Sequence, residues 1–208
     1  MINIITAENR HCFHHVLTEM HRQRKQLFID QMGWRLADIA GLEMDDYDSS
    51  EAVYLVETGD DSAVLQSARL LPTQTPHLLN DVFPALCENG PPRSETIWEA
   101  SRFCPAPDTP KGPPRRQLLM RMIAAILETS ILFGVEGVTF VASAALAPLA
   151  RNAGWEVTPL GAPQRIGRER LTAMLARVTS AGLQRVRAVN GRTGPLTRYA
   201  DINARRAA

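Results

Sequence analysis

The 208-residue sequence predicts an α/β protein, a three-layer α-β-α sandwich around a mixed, twisted sheet. Strand-like runs over 52–56, 63–71 and 96–104 come first, each bounded by turn-forming or proline-rich segments. A long amphipathic helix follows, and then a wholly apolar strand at 138–143, which is typical of a sheet centre. Strands that alternate with helices in this way favour one sheet covered by helices on both faces.

The predicted helices rest on apolar spacing and on capping residues. Residues 8–32 carry apolar side chains at helical spacing, which predicts one or two N-terminal helices. A short helix is expected near 78–86 inside a proline-rich loop. A long helix is expected from about Arg115, ending at Gly134, where glycine suits the C-cap.

The C-terminal part is predicted from weaker patterns. We expect a helix at 144–153, a short strand at 156–158, a helix over 168–178 and a last strand over 183–189. Residues 1–190 would form a single domain, and residues 191–208 a loosely ordered basic tail.

The composition is that of a globular protein, with 45% hydrophobic and 22% charged residues. No stretch approaches the ~18 apolar residues of a membrane span, and the N-terminus lacks the basic and apolar regions of a secretory signal. Three scattered cysteines, Cys12, Cys87 and Cys104, fit neither a disulfide framework nor a zinc site. A cytoplasmic location is therefore predicted.

The formal net charge of +1 hides an asymmetry between the two halves of the chain. Residues 1–110 hold 8 Lys/Arg against 17 Asp/Glu, a charge of −9, whereas residues 111–208 hold 15 against 5, a charge of +10. The acidic half suits a cationic ligand. The second half is rich in arginine, which favours planar anions, so it fits an acidic partner, a nucleic-acid surface or charge segregation without a partner.

Common catalytic and cofactor motifs are not found. The sequence has no Gly-x-Ser-x-Gly elbow, no Gly-x-Gly-x-x-Gly turn and no phosphate-binding loop. Cys104 fits a small buried hydrophobe better than a nucleophile. His11 and His15 stand four residues apart, but no third ligand has the needed spacing, so no metal is predicted.

Charged residues are embedded in apolar and aromatic runs at 24–34, 43–48, 68–73 and 98–103. Charged side chains are rarely buried unless paired, so these runs predict an ion-pair network of the kind that binds a charged small molecule. A lone glutamate on a strand is usually solvated. The aromatic neighbours of Glu99 instead predict a desolvated carboxyl with a raised pKa, which suits a general base.

Strand alternation also predicts which side each residue of this motif faces. Glu99 and Ser101 would lie on one face of their strand, and Trp98 and Arg102 on the other.

Taken in order, these motifs resemble the acyl-homoserine-lactone autoinducer synthase family. The resemblance covers roughly residues 8 to 170, and the matching positions are mostly charged or aromatic. They are Arg24-x-x-x-Phe28, Trp34, Glu43-x-Asp45-x-Tyr47-Asp48, Tyr54-Leu55, Ala68-Arg69-Leu-Leu-Pro-Thr73, Pro76-His77-Leu-Leu79, Phe83, Trp98-Glu99-x-Ser101-Arg102-Phe103 and Ala153-Gly154-Trp155.

The resemblance implies an N-acetyltransferase-like fold whose V-shaped cleft, between the central strands, holds an acyl chain. It implies that an acyl thioester of acyl carrier protein or coenzyme A acylates the amine of S-adenosylmethionine, followed by lactone closure and release of methylthioadenosine. S-adenosylmethionine is then a substrate, and neither cofactor nor metal is needed. The acidic half agrees with a sulfonium ligand, and the basic half with the acidic carrier protein.

The resemblance also implies roles for particular residues. The catalytic residues would be Glu99, Arg69 and Arg102, with Glu99 as the base. The substrate-binding residues would be Arg24, Phe28, Trp34, Asp45, Asp48, Phe83, Ser101 and Phe103, and the acyl pocket would be lined by Trp98, Met122, Ala142 and Ser143. The N-terminal helices, about residues 8–48, would form a lid.

Ala142 aligns with a threonine found in family members that make 3-oxo-acyl products. Alanine has no hydroxyl to bond a 3-oxo group, so an unsubstituted chain is expected. A shift of one residue would place Ser143 there instead and restore a donor.

Two other functions fit parts of the sequence. Another N-acyltransferase of this fold, with acyl-coenzyme A and a different amine, would normally carry a glycine-rich pyrophosphate turn, but residues 110–116 are proline-blocked. A nucleic-acid-binding protein would use the arginine-rich half, which lacks a helix-turn-helix pattern and stacking aromatics.

Overall fold

The computed structural model describes residues 1–60, 63–144, 147–191 and 193–200. Its strands are β1 Ile2–Ile5, β2 Asp38–Ile39, β3 Leu42–Glu43, β4 Val53–Thr58, β5 Val64–Pro72, β6 Ile97–Pro105, β7 Gly137–Ser143, β8 Val157–Pro159, β9 Gln164–Ile166, β10 Glu169–Arg177 and β11 Thr197–Tyr199. Its helices are α1 His14–Arg24, α2 Leu78–Asp81, α3 Pro113–Leu132, α4 Ala147–Asn152 and α5 Ser180–Val189, with a π-helical turn at Lys25–Gln31 and 3-10 turns at Arg10–Cys12 and Pro84–Leu86.

One mixed sheet organises the described residues, as predicted. Its strand order is β11-β1-β4-β5-β6-β7-β10-β8, β9 pairs with β10, and β2 and β3 form a separate hairpin. The pairs β1–β11 and β6–β7 are parallel, whereas the other pairs of the main sheet are antiparallel.

The parallel strands β6 and β7 separate part-way along their length. Their pairing runs from Ile97 opposite Gly137 to Ala100 opposite Phe140, and then stops. Both strands continue, β6 to Pro105 and β7 to Ser143. The gap that opens between them is the predicted V-shaped cleft.

Helices cover both faces of the sheet. Leu55, Leu70 and Val138 belong to the core cluster that includes the buried face of α3. Their neighbours Tyr54 and Leu71 face the opposite side, where Met20 of α1 packs against them. This period-two alternation over adjacent strands produces the predicted three layers.

The long helix matches its sequence prediction closely. It starts at Pro113, slightly before the expected Arg115, because proline fits the first positions of a helix. Gly134 has a positive φ of 71°, and the amide of Val135 donates to the carbonyl of Ser130 at 2.8 Å, closing the C-terminus as expected. No helix among the described residues is long and apolar enough to cross a membrane.

Two C-terminal predictions are wrong. The helix predicted over 168–178 is strand β10, and the strand predicted over 183–189 belongs to helix α5. Strand β10 has a covered face on each side of the sheet, so its apolar residues do not alternate visibly. The Gly167-Arg168 turn, with Gly167 at φ 61°, indicates a hairpin that leads into strand β10. Thr179 indicates the start of helix α5, because its side chain accepts a hydrogen bond from the amide of Gly182.

The predicted loose tail is also partly wrong. Strand β11 lies within 191–208 and pairs in parallel with β1 at the sheet edge. The carboxylate of Glu128 on α3 holds this strand, accepting hydrogen bonds from the amides of Leu196 and Thr197 at 2.9 Å each. Residues 201–208 lie outside the described residues.

Candidate active site

The N-terminal segment turns toward the sheet through the π-helical turn. This turn buries Phe28, which is 4% exposed, and the chain then reverses so that Trp34 stacks on it, with ring centroids 5.0 Å apart and an angle of 8°. The guanidinium carbon of Arg102 lies 5.8 Å from the Phe28 ring centroid. Trp34 is itself 36% exposed, so the stack has one face toward solvent.

The acidic loop that follows is pinned by its own carboxylates. The β2–β3 hairpin turns through Ala40 and Gly41, both with positive φ, and delivers the chain to Glu43. The amide of Asp45 donates to Asp48 at 2.9 Å, and the amide of Tyr47 donates to Asp45 at 3.0 Å. The loop therefore presents its carboxylates in fixed directions.

Arg24, at the end of α1, is the centre of a buried ion-pair network. Its two terminal nitrogens donate to the two oxygens of Asp48 at 2.8 and 2.9 Å, and its Nε donates to Glu43. The hydroxyl of Tyr54 donates to Asp48 at 2.9 Å. The side chains of Arg24 and Asp48 are only 1% and 2% exposed, so this pairing takes place away from water.

Arg69 and Arg102 join this network from two neighbouring strands. Arg69 lies 2.9 Å from Asp48, and its Nη2 lies 3.1 Å from an oxygen of Asp45. Arg102 donates to that same Asp45 oxygen at 2.7 Å and to Glu43 at 3.0 Å. The six side chains, three arginines and three carboxylates, bind the N-terminal segment to β5 and β6.

Strand alternation predicted that Arg102 faces away from Ser101, and this prediction is wrong. Arg69 pairs with Ser101 but Ser67 pairs with Cys104, so two residues of β6 lie opposite a single residue of β5. Arg102 occupies this β-bulge with a left-handed φ of 53°. The bulge turns its side chain to the side of Ser101, whose hydroxyl accepts from Arg69 Nε at 3.2 Å.

The network sets the ionisation of its carboxylates. Burial alone would raise the pKa of Asp48, but the hydrogen bonds and charge of Arg24, with the charge of Arg69, hold it well below its usual range. Burial also opposes ionisation of Glu43, and Arg24 and Arg102 lower its pKa in the same way. Both groups are therefore carboxylates at neutral pH.

Glu99 lies in a different environment. It is 1% exposed, and its two oxygens accept the amides of Leu78 and Leu79, at the start of α2, at 3.1 and 2.6 Å. Burial raises the pKa of Glu99, although these amides and the charges of His77 and Arg69 oppose the shift. Its position opposite Thr139 is one residue before the strand pairing ends, so it lies at the base of the cleft.

The other predicted site residues do not join the network. Trp98 and Phe103 pack against the core on the α3 face of the sheet, and Met122 is fully buried there. Phe83 packs in a separate cluster with Leu79 and Leu86.

Ala142 and Ser143 of β7, the two candidates for the wall of the acyl pocket, face opposite sides of the sheet. Ala142 lies opposite Thr172 of β10 and shares the face of Phe140 and Val138, which is the α3 face. Ser143 lies opposite Leu171, on the face covered by α2.

Sequence reasoning did not include two network members among the site residues. Glu43 bonds both Arg24 and Arg102, and Tyr54 bonds Asp48. Glu43 was visible as the first charge of the acidic segment, but a carboxylate in a loop gives no indication of burial. Within the described residues, no group of three His, Cys, Asp or Glu side chains could hold a metal ion.

Comparison with known proteins identifies the family. Residues 8–186 match the autoinducer synthases. The chain belongs to the autoinducer synthase family. It is 34% identical over 165 residues to the isovaleryl-homoserine lactone synthase of Bradyrhizobium diazoefficiens, covering 78% of this chain and 73% of that relative.

Solved structures agree with this family assignment. The coenzyme A-dependent acyl-homoserine lactone synthase BjaI, with S-adenosylmethionine and isopentyl-coenzyme A, matches at a TM-score of 0.88 and 29% identity, covering 96% of this chain and 93% of its own. A putative N-acetyltransferase from Lactobacillus plantarum, 18% identical, matches at a TM-score of 0.56 over 86% of this chain and 99% of its own. The predicted family and the N-acetyltransferase-like fold are confirmed.

The buried pair in this autoinducer synthase predicts a strong and pH-dependent effect of Asp48→Asn. At neutral pH the substitution removes the negative charge opposite the buried guanidinium of Arg24. We therefore expect the free energy of unfolding to fall by about 3–5 kcal/mol. Because the pKa of Asp48 is lowered by folding, its contribution is present above about pH 4 and is lost as the pH falls through the folded value. The difference between variant and wild type should therefore shrink in acid.

Urea unfolding at several pH values measures this difference. Asp30→Asn is the matched control, because Asp30 pairs with Lys25 at a site where its side chain is 46% exposed, and a change below about 1 kcal/mol is expected. An Asp48→Asn protein as stable as the control at pH 7 would contradict the account of the network.

Proposed function

We propose that this chain is an acyl-homoserine-lactone synthase that acylates the amine of S-adenosylmethionine and then closes the lactone, releasing methylthioadenosine. The observation that carries the proposal is the assembly of the family-matching charged residues into one buried network next to Glu99 and the cleft between β6 and β7. The relative from Bradyrhizobium diazoefficiens is named an isovaleryl-homoserine lactone synthase, and the BjaI structure contains S-adenosylmethionine and isopentyl-coenzyme A.

Burial divides the network into two groups with different proposed roles. Arg24 and Arg69 are 1% and 0% exposed, and both are paired with carboxylates of the acidic loop, so we assign them to holding the N-terminal segment, about residues 8–48, as a lid. Arg102 and Asp45 have side chains 7% and 18% exposed, and they present one charge of each sign to a ligand. This pair suits the carboxylate and the ammonium of S-adenosylmethionine.

The remaining proposed roles follow from position. The Phe28–Trp34 stack covers the charged ligand, and Ser101 orients Arg69. Amides of β6 beyond Ala100, where pairing with β7 has ended, stabilise the oxyanion of the thioester carbonyl. Glu99 takes a proton from the amine, directly or through a water molecule, because its raised pKa suits a base at neutral pH.

Several broader predictions also belong to this proposal. We propose residues 1–190 as one synthase domain, extended by β11, and a cytoplasmic location, which suits the free cysteines found at all three positions. The reaction as proposed uses no cofactor or metal.

The direct test combines purified protein, S-adenosylmethionine and a panel of acyl-coenzyme A and acyl carrier protein thioesters. Mass spectrometry should detect an N-acyl homoserine lactone and methylthioadenosine in equal amounts. Acylation of another amine without release of methylthioadenosine would favour the alternative N-acyltransferase.

Glu99→Gln tests the proposed base. We expect kcat to fall by roughly 10²–10⁴-fold, with the Kd for S-adenosylmethionine and the Tm close to wild type, because a general base contributes this much. Glu95→Gln, at an exposed residue near the start of β6, is the control and should leave kcat unchanged. A Glu99→Gln enzyme within a few-fold of wild-type kcat would remove Glu99 from the base role.

We propose a coenzyme A thioester as the donor, because the structure of the coenzyme A-dependent BjaI aligns over 96% of this chain with a TM-score of 0.88. Several arginines of the basic half are used inside the protein, including Arg121 on Glu57 and Arg187 on Glu128. Exposed arginines remain on the β9–β10 hairpin, at 165, 168 and 170, and suit either phosphates or an acidic carrier protein.

Salt dependence distinguishes the two donors. We expect a higher kcat/KM with acyl-coenzyme A than with acyl carrier protein at low salt. A carrier protein that docks on the exposed arginines should also lose affinity steeply as salt rises, because surface charges are screened. A higher kcat/KM for acyl carrier protein, falling with salt, would assign it as the donor.

Ala142→Thr tests whether residue 142 lines the acyl pocket. The added hydroxyl could pair with a 3-oxo group, worth about 0.5–1.5 kcal/mol, and would stay unpaired against an unsubstituted chain, so product preference should shift toward 3-oxo chains. Ser143→Ala, on the opposite face of β7, is the control, because it removes the hydroxyl that would act if Ser143 lined the acyl chain. Competition between matched donors measures the ratio, and a shift only in the Ser143 variant would move the wall to the other face.

A further inference from the structure

His77 has a buried nitrogen that no described protein atom satisfies. The imidazole is 1% exposed, and its Nδ1 lies 2.7 Å from the carbonyl oxygen of Thr75. A carbonyl only accepts hydrogen bonds, so Nδ1 carries the proton of the neutral ring and Nε2 carries the lone pair. Nε2 is buried without a hydrogen-bond partner among the described residues, which costs about 1–3 kcal/mol if nothing else pairs with it.

The fold brings the imidazole of His77 within electrostatic range of Glu99. His77 immediately precedes Leu78 and Leu79, whose amides hold the two oxygens of Glu99. The imidazole therefore belongs to the turn whose amides hold the Glu99 carboxylate. When the ring of His77 holds a second proton, its positive charge favours the carboxylate form of Glu99 and so lowers the pKa that burial raises.

Other charged groups face Glu99 from the surrounding elements. Arg69 on β5 favours its carboxylate form. Tyr47 of the acidic loop also lies within electrostatic range of Glu99, and its hydroxyl is hydrogen-bonded to Asp81 of α2, with burial raising the pKa of Tyr47 to about 12. Among these neighbours, His77 has a buried basic nitrogen that lacks a hydrogen-bond partner within the described part of the chain, and an imidazole nitrogen can accept a proton.

The proposed reaction needs a second proton acceptor. The ammonium of S-adenosylmethionine loses one proton before its nitrogen attacks the thioester carbonyl, and that nitrogen loses another as the C–N bond becomes an amide. The C–S bond then breaks and the leaving thiolate takes up one proton, which leaves one proton over. Lactone closure moves none, because the carboxylate attacks the γ-carbon and methylthioadenosine leaves as a neutral thioether.

We propose that the imidazole of His77 shares the proton that Glu99 accepts from the substrate amine, so that Glu99 returns to the carboxylate form before the second transfer. His77 acts through Glu99 and is a positioning residue rather than a catalytic one. The proton passes from the Glu99 carboxyl to Nε2 across a bridging water. This inference rests on the proposed function.

His77→Asn tests the shared proton, because the asparagine amide can still donate to the Thr75 carbonyl but cannot take up a proton. The acid limb of the pH profile of kcat/KM for S-adenosylmethionine should move to higher pH by about one unit or more, since Glu99 loses the partner that favours its carboxylate. The KM for the acyl donor should stay unchanged. His11→Asn, at an exposed histidine, is the control and should match wild type.

A second measurement does not need turnover. The side-chain carboxyl of Glu99, followed by carbon-13 NMR, should titrate at higher pH in His77→Asn than in wild type. If His77 is only structural, the variant will lose activity equally at all pH values or not at all, with an unshifted Glu99 titration, and the inference fails. If wild type releases no methylthioadenosine, the proposed function fails, and the NMR titration alone decides whether the two groups share a proton.

Discussion

The structure depends on a buried carboxylate, Asp48, which is shared by arginines from two parts of the chain. Arg24 reaches it from the N-terminal helix and Arg69 from the sheet. Removing these charges from water is costly, and the attraction between them repays that cost only when every donor and acceptor is matched. Such a network adds little net stability, but a shifted N-terminal segment would leave a buried charge unpaired. The ion pairs therefore select one position of this segment over the alternatives.

The same network maintains an unfavourable backbone conformation beside the cleft. A non-glycine residue with a positive φ costs of the order of 1–3 kcal/mol, and Arg102 holds this conformation at the β-bulge. Its bonds to Glu43 and Asp45 offset that cost. The result is an arginine and an aspartate whose side chains are 7% and 18% exposed, close to the Phe28–Trp34 stack, where we propose that the charged part of S-adenosylmethionine binds.

The buried carboxyl groups of Asp48 and Glu99 have pKa values shifted in opposite directions. Asp48 is surrounded by guanidinium groups, which hold its pKa low and keep it ionised. Glu99 is also buried, but the hydrogen bonds that it accepts within the described part of the chain come from backbone amides, so desolvation dominates and raises its pKa. Environments that separate the pKa values of neighbouring groups in this way distinguish an electrostatic anchor from a group that exchanges protons. His77, whose Nε2 has no hydrogen-bond partner among the described residues, lies within electrostatic range of Glu99.

The sequence by itself determined the strands expected at 52–56, 63–71 and 96–104, the long helix with its Gly134 cap, and the ordered charged motifs, since these depend on local spacing and capping. It also identified most of the charged residues of the network. Only the tertiary structure decided that Arg102 turns toward Ser101, since a bulge depends on the partner strand and leaves no local mark. It also decided that β10 is a strand, because a strand covered on both faces has no visible alternation. Pairing of β11 with β1 and burial of Glu43 were likewise decided by residues far away in the chain, because hydrogen-bond partners and desolvation exist only once the layers have packed.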